Sequence, residues 1–158
     1  MQARVILFCC VVLGAASSSA TAATVPSHSC DSAAERAKIS TAVHGLFDAL
    51  SRDDEGALGR VLSRDFYGFD AGKRVTTASL FETIATYHRA GVIIQWNPGP
   101  LDIHVTCGKA WAAWENHGMG GPAGTLKPVS WLESAILSED HGRWTIDFLH
   151  STLLEPKP

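Results

Sequence analysis

A charge excess of either sign is missing from this sequence: 13 lysines and arginines stand against 16 aspartates and glutamates, for a net charge of −3. That excludes a basic nucleic-acid binder. Metal signatures are missing as well. The seven histidines include His104, His117 and His150 on separate strand patterns, but no H-x-H, H-E-x-x-H or C-x-x-C spacing occurs, so no metal is expected. Gly118 to Gly124 follow a strand pattern but open no helix. A phosphate loop or dinucleotide fingerprint is therefore unsupported, and no cofactor is expected. Beyond the first 16 residues there is no long apolar run, which excludes a bundle of membrane spans. With 46% apolar and 18% charged residues the chain is not a disordered polymer.

What is present begins with an address. Met1 to Arg4 carries one positive charge, Val5 to Ala16 is uncharged and apolar, and Ala20-Thr21-Ala22 is an A-x-A site. This is the three-part pattern of a secretory signal peptide, too short to span a bilayer. Residues 1–22 are read as that signal, 23–31 as a flexible leader, 32–154 as one domain and 155–158 as a tail. The expected location is periplasmic or secreted, with no membrane association after cleavage. Removal of Cys9 and Cys10 leaves Cys30 and Cys107. In an oxidising compartment they have one intramolecular pairing, a disulfide tying the leader to the domain; the alternative is two unpaired thiols.

Periodicity then orders the elements. Ser32-Ala-Ala-Glu35 is a capping box, and Ile39, Val43, Leu46, Phe47 and Leu50 form one helical stripe, giving a helix over 33–51. Asp53 or Asp54 caps a short helix through Leu58, Val61 and Leu62. Phe66 to Phe69 reads as a short strand. Thr76 or Thr77 caps a third helix with Leu80, Phe81, Ile84 and His88 on one face, ending at Gly91. Strands follow at 92–97, 101–107, 110–117, 129–138 and 143–153, with a bend at Pro98-Gly99-Pro100 and a long loop over 118–128. Helices first and antiparallel strands afterwards define an α+β fold. A strongly bent antiparallel sheet wrapping the N-terminal helices leaves a pocket between the layers.

The C-terminal runs Trp131-Leu-Glu-Ser-Ala135, Asp140-His-Gly-Arg-Trp144-Thr-Ile146 and His150-Ser-Thr152, with Gly108-Lys-Ala-Trp111, resemble the nuclear transport factor 2-like superfamily. The SnoaL-like and ketosteroid-isomerase-like domains are the most similar. The likeness spans Ser32 to Leu154. It implies a cone-shaped α+β barrel, an apolar cavity and a homodimer built through the sheet face. Ketosteroid isomerases hold an enolate with a tyrosine and a carboxylic acid. Tyr67 and Tyr87 are the only tyrosines here, and neither falls on the inner face of the first helix, so that arrangement does not carry over.

Two residues stand out as chemistry. Glu133 alternates with Trp131 and Ala135 on the expected inner face of its strand, where desolvation raises a carboxyl pKa towards that of a general acid or base. His150 shares parity with Trp144, Ile146 and Phe148, and a tight turn near Asp140-His141 places Phe148 or His150 opposite Glu133. A Glu133–His150 proton-transfer couple follows; the bland alternatives are a salt-bridged carboxylate and a structural histidine. Alternation leaves open which face of 110–117 is inner. Trp96, Trp114, Trp131, Phe47, Tyr67 and Phe81 are the expected lining for a small apolar or amphipathic ligand. The readings that result are an exported ligand-binding domain, a proton-transfer isomerase, cyclase or hydrolase using Glu133 and His150, or a homodimeric assembly module without catalysis.

Overall fold

The computed structural model describes residues 30–154; the signal-peptide reading, most of the leader and the tail lie outside them. Helix α1, Ala33–Ser51, presents Ile39, Val43, Leu46, Phe47 and Leu50 on its buried stripe. Its cap is half the expected box. Ser32 accepts from the Glu35 N–H, but the Glu35 carboxylate accepts from the Trp144 indole (2.6 Å) and Lys38 (2.8 Å). Asp54 caps α2, Glu55–Val61, by accepting from the Ala57 N–H. Leu62 does not continue that helix and instead opens strand β1, Leu62–Asp70. A strand not expected from the sequence, β2, Lys73–Thr76, pairs with β1. Helix α3, Thr77–Arg89, has a reciprocal Thr76–Ser79 capping box.

Strands β3, Val92–Gln95, and β4, Asp102–Thr106, both lie along β5, Lys109–Pro122, on either side of the Pro98-Gly99-Pro100 bend. Strands β6, Lys127–Asp140, and β7, Arg143–Leu153, complete a seven-stranded sheet in the order β2-β1-β7-β6-β5-β3, with β4 beside β3 on the same edge of β5. The expected loop over 118–128 is mostly strand: Met119 pairs with Pro128 and Gly120 with Lys127. Glycine is required there for space. A Cβ on Gly118 would come within 1.9 Å of the Gln95 carbonyl oxygen, so only glycine lets β3 approach β5.

The architecture is α+β, a curled sheet cupping the N-terminal helices. The expectation of a purely antiparallel sheet is corrected in one pair, because β1 runs parallel to β7. Ile39, Leu46, Leu58, Leu137 and Ile146 are fully buried between the layers, each contributing about 1.5–3 kcal/mol of hydrophobic stabilisation. The structure joins Cys30 to Cys107, with Cα atoms 5.0 Å apart, and so fastens the start of α1 to the end of β4.

Candidate functional site

A cavity of about 530 Å³ lies between α1, α3 and the concave sheet. Leu80, Ile84 and Tyr87 of α3 and Phe47 and Leu50 of α1 form its roof; Ile94, Trp96, Val129 and Trp131 form much of its wall. Most of these positions are inward residues of a helical stripe or a strand alternation, while Trp96 lies one residue past β3 and Tyr87 stays nearly half exposed.

Strand register sets a polar row across this apolar bowl. Asp70 of β1 pairs with Ser151 of β7, Ser151 with Glu133 of β6, and Glu133 with Trp114 of β5. Asp70, Ser151 and Glu133 line the cavity. Strand spacing of about 4.8 Å puts the Asp70 and Glu133 Cα atoms about 10 Å apart.

Glu133 is only 6% exposed. Its Oε2 accepts from Trp114 Nε1 at 2.7 Å and from Asn116 Nδ2 at 2.8 Å, and its Oε1 accepts from Ser151 Oγ at 3.2 Å. Asn116 is fully buried, and its Oδ1 accepts the Asn97 N–H at 2.8 Å, which fixes the amide with Nδ2 towards Glu133. Oε2 is thereby saturated, and Oε1 is the oxygen turned to Ser151. Burial pushes the Glu133 carboxyl above its ordinary range; the Asn116, Trp114 and Ser151 hydrogen bonds pull it down, and the Asp70 charge pushes it up. Burial also raises Asp70, opposed by the Ala71 N–H. Both carboxyls on this cavity wall are thus shifted upward by burial, with Glu133 opposed by three neutral hydrogen-bond donors.

His150 is not part of it. Ile136 pairs with Phe148 but Leu137 with Ile146, so Asp147 is an extra residue in β7. This bulge reverses the alternation: Trp144 and Ile146 point inward, then Leu149 and Ser151. His150 turns to the outer face beside Phe69, and Ser151 takes the place expected for it opposite Glu133. Asp147 is held in the bulge by Ser138 Oγ at 2.5 Å and Lys109 Nζ at 3.4 Å.

Of the residues named from the sequence, Phe47, Trp96 and Trp131 are placed around the cavity. Trp114 lies behind it, packed edge-on against Phe47. Tyr67 faces outward against Phe148 with the Arg74 guanidinium 3.9 Å over its ring. Phe81 packs against the core away from the cavity. Sequence reasoning missed Asp70, Tyr87, Asn116 and Ser151. Asn116 shares parity with Trp114, its one sequence signal; Asp70 lies just past the strand expected over Phe66 to Phe69; Ser151 is hidden by the bulge.

The fold is shared with NTF2-like proteins of known structure. Solved structures similar to it include an NTF2-like protein from Cytophaga hutchinsonii (TM-score 0.62, 16% identity, covering 76% of this chain and 98% of that one). Another is a ketosteroid isomerase-like protein from Erwinia carotovora atroseptica (0.63, 18%, 77% and 98%). A third is a hexachlorocyclohexane dehydrochlorinase from Novosphingobium barchaimii (0.65, 12%, 77% and 88%). No family model and no curated protein matches the sequence. At these identities the likeness is one of fold, and the fold carries both binding proteins and enzymes.

Proposed function

We propose that this chain binds a small, largely apolar molecule in the cavity between α1, α3 and the sheet. The observation that carries the reading is a 530 Å³ apolar bowl with one buried, hydrogen-bonded carboxyl, Glu133, in its wall. The test is titration with the neutral fluorophore N-phenyl-1-naphthylamine. Wild type should enhance its emission saturably, and Thr83→Trp, which fills the cavity from α3, should abolish the effect. Equal signals from both proteins would place the probe elsewhere and defeat the reading.

A second reading is proton-transfer catalysis, an isomerase, cyclase or hydrolase. Its support is that Glu133 and Asp70 both hold protons more tightly than exposed carboxyls and share the cavity. Asp70 replaces His150 as the second group. Native mass spectrometry of protein from its natural exported fraction separates the two. A bound molecule returned unchanged after incubation with wild type favours binding. A molecule converted by wild type but retained intact by Glu133→Gln favours catalysis.

The location and the partner complete the proposal. Export through residues 1–22 is supported by their three-part pattern, and the Cys30–Cys107 bond suits an oxidising compartment. The intact mass of the exported protein tests it, since cleavage removes residues 1–22. A homodimer through the outer sheet face is supported by the row His104, Trp111, Ile136, Phe148 and Tyr67, which runs across five strands. Trp111 and Ile136 are nearly half exposed, and the outward residues of β6 (Ser130, Leu132, Ser134, Ile136 and Ser138) include no charge. An uncharged central strand of this kind suits a covered face.

A further inference from the structure

Glu133 has three hydrogen-bond donors and no counter-charge. Trp114, Asn116 and Ser151 are all neutral, and among the described residues no cation pairs with its carboxylate. Neutral donors solvate a carboxylate without cancelling its charge, and a buried charge of that kind is expensive unless something supplies the opposite sign. The lining supplies almost none. It contributes two carboxyls, Asp70 and Glu133, against one cationic side chain, Lys73, which lies exposed on β2.

The rest of the wall is suited to a cation with a hydrocarbon body. Phe47, Trp96, Trp131 and Tyr87 offer aromatic rings around the space, and ring faces attract ammonium groups. An anion here would meet two carboxyls. A neutral hydrogen-bonding ligand would find Oε2 already saturated by Trp114 and Asn116, leaving it Oε1 and the Ser151 hydroxyl.

We propose that the cavity is selective for apolar organic cations, protonated amines or quaternary ammoniums. The charged head lies against the Asp70–Ser151–Glu133 row and the hydrocarbon body against Phe47, Trp96 and Trp131. The inference rests on the binding reading above and narrows it to one ligand charge.

The test compares two probes of matched shape by isothermal titration calorimetry at neutral pH: 1-naphthylmethylamine, which is cationic, and 1-naphthalenemethanol, which is not. Wild type should bind the amine at least about tenfold more tightly, the smaller end of what a charge-assisted hydrogen bond gives. Glu133→Gln should bring the two affinities to within about twofold of each other, chiefly by weakening the amine. Asp70→Asn, at the half-buried end of β1, provides the same test should Glu133→Gln fold poorly. Alcohol binding as tight as amine binding, or an amine preference unchanged in both variants, would overturn the charge selectivity and leave the binding reading standing. If neither probe binds and N-phenyl-1-naphthylamine also fails, the cavity reading falls and the selectivity with it.

Discussion

The Trp114 indole N–H and the Glu133 carboxylate meet at 2.7 Å across the paired strands β5 and β6, both side chains buried. The ring of Trp114 belongs to the core and its nitrogen to the site. This one residue therefore links the packing of α1, through Phe47, to the protonation of the cavity's carboxyl.

Trp114→Phe keeps most of the ring and deletes the donor. It should destabilise the fold by about 1.5–3 kcal/mol, the value of a hydrogen bond to a charged group, measured by urea denaturation. It should also raise the pH at which Glu133 ionises, because one of the contacts that lowers it is gone. Infrared titration of the protonated carboxyl band reads that shift directly, and a shift downward would contradict the assigned network.

Glu133 and Asp70 both hold their protons more tightly in the folded chain than free carboxyls do. The folded state then binds more protons than the unfolded one, so these groups contribute stability that is present below the unfolded carboxylate pKa, near pH 4, and is lost as pH rises through their higher folded values. Glu133→Gln removes one of the two titrations. Its stability relative to wild type should therefore be more favourable at pH 8 than at pH 4. Denaturation midpoints across that range that run parallel for the two proteins would rule out a raised Glu133.

The Cys30–Cys107 bond closes a sequence separation of 77 residues. Chain entropy for a loop of that length gives at most about 4.5 kcal/mol, and disulfides typically contribute about 2–4 kcal/mol. Cys107→Ser should lower the thermal midpoint accordingly, and it should do so without changing probe affinity in the cavity, because neither cysteine lines it.

Gly118→Ala directs a methyl group into the Gln95 carbonyl. The clash involves backbone on both sides and cannot be relieved by turning a side chain. A loss of about 1–3 kcal/mol or more is expected, with hydrogen-exchange protection falling first in β3 and the facing part of β5.

Ile136→Lys places a charge at the centre of the outer apolar row. A dimer formed through that face should dissociate to monomer in sedimentation analysis while the cavity still binds N-phenyl-1-naphthylamine. Wild type sedimenting as a monomer at all concentrations would remove the dimer proposal.

Much of this molecule is written locally. The stripe from Ile39 to Leu50, the caps at Ser32, Asp54 and Thr76, and the alternation of β4 and of most of β6 follow from 3.6- and two-residue periods that a chain carries before it folds. Those periods sufficed for the α+β class and for placing Glu133 on an inner face. The remaining site residues depended on pairing between distant strands. A single extra residue, Asp147, turned His150 out and Ser151 in, because strand parity reverses at a bulge. The parallel pairing of β1 with β7 brought Asp70 into line with Glu133 across a separation of 63 positions that no local pattern records. The inner face of β5 was likewise chosen only when Trp114 and Asn116 found a buried carboxyl to donate to. Sequence alone determined most of the elements and the apolar sides of the helices, β4 and β6, since those energies are local; tertiary structure decided the remaining strand faces and which polar groups meet, since register is set by contacts between strands and not within them.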